Sequence, residues 1–302
     1  MREKEIINII KSTLQSKYIG DDCAFLKDLE IVVTQDSLVE DVHFSLKFTD
    51  AYQLGYKSAS VNISDVCACG AKPLYLTVAI SLPAGIDNDF IKEFYKGIRF
   101  ACSDIEVVGG DITSSEKLYI SITAIGSSKN RKIASRKNAK IGQKIIVSGY
   151  HGSSAAGLIQ LFNGEKSGVF IDAHLMPETK IEFSKQIAEN IKEDYAMTDT
   201  SDGLMDALMN IASESEVCMS VDFNKIPHNK ELEKFVNWHD LVFFGGEDYE
   251  LVATVPEENI YGFVIGEVKS GSGVEVNYDD KKILFTKEEI EKKVFNHFKE
   301  EK

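Results

Sequence analysis

Short apolar or alternating runs, separated by longer segments with apolar residues three and four positions apart, recur along the whole chain. A period near two reads as strand and a period near 3.6 as helix. Residues 30–33 then form a strand that delivers Asp36 at its end. Asp50 with Gln53 three positions later has the pattern of a capping box. The helix it opens carries Tyr52, Tyr56, Ala59, Ile63 and Val66 on one stripe, and Gly70 with Pro73 stops it. Asn62 and Asp65, at i and i+3, face one ligand together. Residues 74–82 read as a buried strand, and Asp89 as the cap of a helix bearing Phe90, Phe94, Ile98 and Ala101. Residues 105–108 form a strand ending in Gly109-Gly110-Asp111, and residues 118–125 form another.

Between positions 129 and 144 the chain becomes rich in Lys and Arg, which marks the linker between two domains, residues 1–137 and 138–302. The default meaning of such a run is a solvated loop; the alternative is that one of its cations reaches a phosphate. The second half restarts with a strand at 144–148, a turn at Gly149 and Gly152, and helices at 154–161 and 182–191. The segment from Asp199 to Gly203 opens a helix with Leu204, Leu208 and Ile211 on its buried face. Residues 217–221, 241–244, 249–255 and 262–268 read as strands, and a charged helix begins at Lys287. Helices and strands intermingle in both halves, which predicts a mixed α/β (α+β) protein of two domains.

Composition narrows the function. The chain has 302 residues and a formal net charge of −14, against a nucleic-acid binder with its usual basic face. An anionic small substrate stays open, because bound cations invert a local field. Five cysteines, an odd number without paired C-x-x-C units, indicate neither a disulfide framework nor a structural zinc. Cys67 and Cys69 are read as small core residues, with a metal or redox pair as the alternative. The first residues lack the apolar core of a signal peptide, and no run approaches the roughly 18 apolar residues of a membrane span. The expectation is a soluble cytoplasmic protein with reduced thiols.

The candidate chemistry lies in six acidic motifs: Gly20-Asp21-Asp22, Thr34-Gln35-Asp36, Asn62-Ile63-Ser64-Asp65, Gly109-Gly110-Asp111, Asp199-Thr200-Ser201-Asp202-Gly203-Leu204 and Gly245-Gly246-Glu247-Asp248. Carboxylates beside glycine and serine suit magnesium, which takes hard oxygen ligands and shares its shell with phosphates and water. No Gly-x-x-x-x-Gly-Lys loop, no strand-borne Gly-x-Gly-x-x-Gly and no His-Glu-x-x-His is present. Acids holding metals are then the route to phosphoryl transfer, whose catalysis is mainly positioning and charge neutralisation. In the Asp199 to Gly203 segment a helix cap needs one acceptor only, while Asp199, Ser201 and Asp202 offer several.

These motifs, together with Leu38-Val39-Glu40-Asp41-Val42-His43-Phe44, the run from Tyr56 to Asp65, Ser154-Ala155-Ala156-Gly157 and Gly245-Gly246-Glu247-Asp248-Tyr249-Glu250-Leu251, resemble the thiamine-monophosphate kinases in order and over almost the whole chain. More distantly the chain is similar to the aminoimidazole ribonucleotide synthetase superfamily. The resemblance implies transfer of the γ-phosphoryl of ATP to thiamine monophosphate. It places several magnesium ions on Asp22, Thr34, Asp36, Asp65, Asp111, Asp199 and Asp202, with Asp65, Asp199 and Asp202 central to catalysis. Gly110, Asp111, Arg136 and Ser201 would contact ATP, His43 and Glu247 the thiamine phosphate, and Phe295 is the candidate for stacking its rings. Residues 1–137 would bind ATP and metal and pair through their sheets into a homodimer, and residues 138–302 would complete the site. Gln35 stands where relatives carry a small hydroxyl residue, and Gly152-Ser153-Ser154 replaces Gly-Asp-Ser. Two other readings remain: an ATP-using relative with a different acceptor, and a nucleotide-binding regulator without turnover.

Overall fold

The computed structural model describes residues 3–279 and 281–295. After helix α1 (Glu3–Leu14), five strands form a first sheet: β1 (Ala24–Leu26), β2 (Ile31–Val39), β3 (Lys72–Leu82), β4 (Glu106–Ser114) and β5 (Tyr119–Ser127), in the order β1-β2-β5-β3-β4. Helices α2 (Ala51–Ala68) and α3 (Asn88–Cys102) pack together beside it. Every second residue of β5 from Ile120 to Gly126 is buried, as are Leu76, Val78 and Ile80 of β3. That alternation is what a sheet with one covered face requires. The capping box at Asp50 is present, with Gln53 N–H donating to Asp50 at 2.8 Å and Asp50 N–H donating to Gln53 at 3.1 Å. Gly55 and Gly97 let α2 and α3 touch: a Cβ on either would lie 1.9 Å from a carbonyl oxygen, of Phe94 or Tyr52.

A second sheet has the order β12-β11-β8-β10-β6-β9-β7. Its strands are β6 (Lys144–Val147), β7 (Met197–Asp199), β8 (Cys218–Asp222), β9 (Leu251–Val255), β10 (Phe263–Lys269), β11 (Gly273–Tyr278) and β12 (Lys281–Phe285). The helices of this half are α4 (Ser153–Phe162), α5 (Val169–Leu175), α6 (Ile181–Asn190), α7 (Leu204–Ser215), α8 (Trp238–Phe244) and α9 (Lys287–Glu291). One apolar core is continuous across both halves, joining Leu54, Ile63 and Ile120 to Phe183, Tyr195 and Leu251. A second core, around Leu208, Met219 and Ile265, belongs to the C-terminal half. Among the described residues no helix is long and apolar enough to cross a membrane.

Several local expectations need correction. The strand read at 30–33 runs from Ile31 to Val39 and pairs with β5 along its whole length, so Asp36 lies within it. The cap of α3 is Asp87, which accepts from Phe90 N–H at 2.8 Å; Asp89 pairs with Lys92 instead. Gly109-Gly110-Asp111 is inside β4, and Gly110 is required because a Cβ there would meet Val78 carbonyl oxygen at 1.8 Å. Residues 241–244 are the end of α8, with Gly245 N–H bonded to Leu241 carbonyl at 3.0 Å. A short apolar run fits both periods, and here Trp238, Phe243 and Phe223 cluster to settle it as helix.

Candidate functional site

Asp22, Asp65 and Asp199 come from three distant parts of the chain, and each offers a carboxylate oxygen within 4.8 Å of the others. Each is held by a hydroxyl or a cation. Thr34 Oγ1 donates to Asp65 at 2.7 Å, Ser64 Oγ to Asp199 at 2.6 Å and Thr198 Oγ1 to Asp22 at 2.9 Å. Arg136 pairs with Asp22 and donates from Nε to Thr198 at 3.2 Å. Asn62 accepts from Asp36 N–H at 2.9 Å and donates to Ser58 carbonyl at 3.0 Å, so it fixes β2 against α2. Asp21 is committed elsewhere, to Arg136 N–H and Ser135 Oγ, both at 2.8 Å.

Burial, then the neighbouring Asp36, Asp199 and Asp22, push the Asp65 carboxyl well above its usual range. Burial and Asp22 push Asp199 up to about 7. Crowded carboxylates of this kind are compensated by a proton or by a cation. Three carboxylates with a hydroxyl at hand are a hard oxygen donor set, and they fit magnesium.

Beside this cluster lies a cavity of about 580 Å³, within the range of small-molecule sites. Asp36, Ser201, Asp202, His43, Glu247, Tyr249, Tyr119 and Phe295 are among the residues that line it. Neither Ser201 nor Asp202 is used as the cap of α7, because that position is Gly203, at φ +102°. His43 Nδ1 accepts from Val39 N–H at 3.0 Å, which places the hydrogen of the neutral ring on Nε2. Glu247 and Tyr249 both have positive φ, 66° and 50°. Non-glycine residues in that region store strain, which concentrates at functional positions.

The segment Glu247 to Glu250 alternates between two spaces. Glu247 and Tyr249 face the cavity just described, while Asp248 and Glu250 line a second one of about 460 Å³ with Tyr150, Asp172 and Lys180. Asp248 accepts from Gly152 N–H and Ser154 N–H at 2.6 and 2.8 Å, closing the N-terminus of α4. Its carboxyl is pushed up to about 7 by burial, against those hydrogen bonds.

Not every expected residue converges. Asp111 pairs across the first sheet with Ala79, then Ser121, then Ser37, so it shares the face of Ser37. Thr34 and Asp36 point to the other face, and three strand spacings separate Asp111 from β2, about 14 Å. Gln35 lies on the Ser37 face too, accepting from Thr123 Oγ1 at 3.0 Å. Gly110 is in β4 with Asp111. Two residues to which the motifs assign no role join the site. Lys57, buried on α2, pairs with Glu247 at 3.0 Å, and His174 on α5 lies 3.0 Å from Ser154 Oγ and 3.6 Å from Glu247. A lone basic residue in a nearly uncharged helix was the available signal for the first. The second sits in a short helix that periodicity does not detect.

Known relatives match the chain in sequence and in fold over nearly its whole length. The AIR synthase related N-terminal domain matches residues 20–128 and the corresponding C-terminal domain residues 140–279. The thiamine-monophosphate kinase of Aquifex aeolicus (strain VF5) is 35% identical, over 99% of this chain and 100% of its own. That of Bacillus subtilis (strain 168) is 33% identical over 93% of each. A solved structure described as AaThiL complexed with AMPPCP and TMP is similar at a TM-score of 0.87 and 34% identity, covering 98% of this chain and 97% of that one.

Proposed function

The chain belongs to the thiamine-monophosphate kinase family, among the AIR synthase related proteins, and from that premise we propose that it transfers the γ-phosphoryl of ATP to thiamine monophosphate, giving thiamine diphosphate and ADP. The observation that carries the reading is one cavity, beside the Asp22, Asp65 and Asp199 cluster, whose wall carries both acids and aromatic rings. A substrate with a phosphate and a cationic ring system matches both. Asp22, Asp36, Asp65, Asp199 and Asp202, with Thr34, would hold magnesium, which when bound supplies the charge screening that two phosphate groups need to approach in line. Arg136 and Ser201 would serve the nucleotide; His43, through Nε2–H, Glu247 and Phe295 would serve the acceptor.

Transfer is direct in this reading. Ser154 has an imidazole 3.0 Å away, but burial holds His174 down at about 4, too weak a base to activate a hydroxyl. The acceptor phosphate is itself an anion and needs no such relay. The division of labour we propose runs near residue 137, with a homodimer formed through the first sheet. All nine residues of β4 are exposed, Val108 and Ile112 among them, and Tyr75 and Tyr119 are exposed on neighbouring strands. In that dimer Asp111 and Gly110 would serve the partner's site, which accounts for their place on the open face. Reduced, buried cysteines suit the cytoplasm.

The test is incubation of the pure protein with ATP, magnesium and either thiamine or thiamine monophosphate, with products separated by chromatography. Thiamine diphosphate from the monophosphate alone is the expected result; no diphosphate from either would remove the proposal.

A further inference from the structure

One buried cation lies outside the phosphate chemistry. The Lys57 side chain is 2% exposed, and its ammonium meets Glu247 Oε1 at 3.0 Å. Glu247 is on the cavity wall and 28% exposed. Its other oxygen, Oε2, accepts no hydrogen bond among the described residues; His174 Nδ1 lies 3.6 Å from it and is engaged with Ser154 Oγ. A carboxylate anchored through one oxygen, with the second facing a cavity rimmed by Tyr249, His43 and Phe295, is an acceptor for an N–H on a flat heteroaromatic ring.

The helix supplies the distance. Lys57 and Ser64 are seven residues apart on one face of α2, about 10 Å along its axis. Ser64 holds Asp199 and Lys57 holds Glu247, so a single helix carries the anchors of both carboxylates.

We propose that Lys57 is a specificity-determining positioning residue: by pinning Glu247 through Oε1 it leaves Oε2 fixed to accept a hydrogen bond from the exocyclic amino group of the acceptor's pyrimidine ring. The proposal rests on the kinase reading above and names the part of the substrate that this wall recognises. Lys57 touches no reacting atom; it acts through Glu247. Burial by itself raises the Glu247 carboxyl, and Lys57, ahead of His174 and His43, brings it below its ordinary value, which keeps the acceptor ionised.

The experiment compares thiamine monophosphate with oxythiamine monophosphate, in which a ring carbonyl replaces the amino group, for the full-length wild-type protein, Lys57→Met, Glu247→Gln and the double variant. In the wild type kcat/KM favours the amino substrate. Lys57→Met lowers that preference at least tenfold, mainly through KM for thiamine monophosphate, while KM for ATP changes less than twofold. The double variant, which buries no unpaired charge, is folded and lacks the preference to the same degree. A structural role alone would lower turnover of both substrates equally and leave the preference intact, and that result overturns the proposal, as does a double variant that regains it. Should the wild type fail to phosphorylate thiamine monophosphate, the kinase reading falls. Calorimetric titration with thiamine and oxythiamine then decides Lys57 separately, equal preference in wild type and Lys57→Met counting against it.

Discussion

Replacing Asp199 by Asn should stabilise the metal-free protein and remove much of its response to magnesium. Asp199, Asp22 and Asp65 carry oxygens within 4.8 Å of one another. Two unit charges at that separation repel by about 3.5 kcal/mol at an effective dielectric of 20. The position of the Asp199 carboxyl gives a similar figure: the interval from 3.8 to about 7 converts to on the order of 4 kcal/mol at about 1.36 per decade of acidity. The sign follows from linkage. The folded protein holds this proton more tightly than the unfolded chain, so the group costs nothing below its ordinary value, and the cost grows as pH rises toward 7 and is complete above it. Asn removes the charge and keeps an acceptor for Ser64 Oγ. In thermal unfolding without metal at pH 8 the variant should therefore melt above the wild type by roughly 7 to 8 °C, at about 2 °C per kcal/mol for a chain of this size. The gap should shrink to roughly 3 °C at pH 5, where about 1.5 kcal/mol of the cost is left. Millimolar magnesium should raise the wild-type midpoint at pH 8 and the variant's much less. A variant that melts below the wild type at pH 8, or a gap independent of pH, would refute the electrostatic account. Equal stabilisation of both proteins by magnesium would refute the assignment of Asp199 as a ligand.

Asp65→Asn and Asp202→Asn should each lower turnover roughly a thousandfold while circular dichroism shows the native fold; near-normal turnover in either would end its proposed role. Phe295→Ala should raise KM for thiamine monophosphate by up to about tenfold, the worth of one stacking contact, with KM for ATP unchanged in steady-state assays. Ile112→Asp, on the exposed edge strand, should convert a sedimenting dimer to monomer; a wild-type monomer at micromolar concentration would count against the dimer itself. Transfer from ATP with a chirally labelled γ-phosphate should proceed with inversion, and retention would indicate a phosphorylated enzyme.

Local signals in the sequence were legible where a short stretch decides its own structure. Asp50 and Gln53 name a helix start because the two hydrogen bonds close within four residues. The acids at Asp22, Asp65 and Asp199 were legible as a set, from motif and resemblance. Their convergence was not, since 177 residues separate the first from the last and only the packing of α2 between β2 and β7 brings them together. Lys57 could be noticed as the one basic residue of a nearly uncharged helix, but its role could not, because its partner Glu247 lies 190 residues further along the chain. Leu241-Val242-Phe243-Phe244 was misread because four apolar residues carry no period, and aromatic partners remote in sequence chose the helix. Asp111 shows a further limit: its motif is plain, yet the face of the sheet it occupies follows from pairing register alone.

Helix α2 belongs by sequence to the first half and by packing to both, touching α3 and three strands of the first sheet as well as β7, α5 and α6. During synthesis, then, the first half emerges from the ribosome with its central helix missing part of its surroundings, including the partners of Lys57, Ser64 and the Cys67 carbonyl, which are Glu247, Asp199 and Ser184. The core of the first half is completed by residues of the second, among them Phe183, Tyr195 and Leu251, whereas the second half also keeps a core of its own. Heating should accordingly give a single calorimetric transition with equal van't Hoff and measured enthalpies. Of two polypeptides made by severing the chain in the basic segment after Ser128, the first should be poorly folded alone and gain structure when mixed with the second.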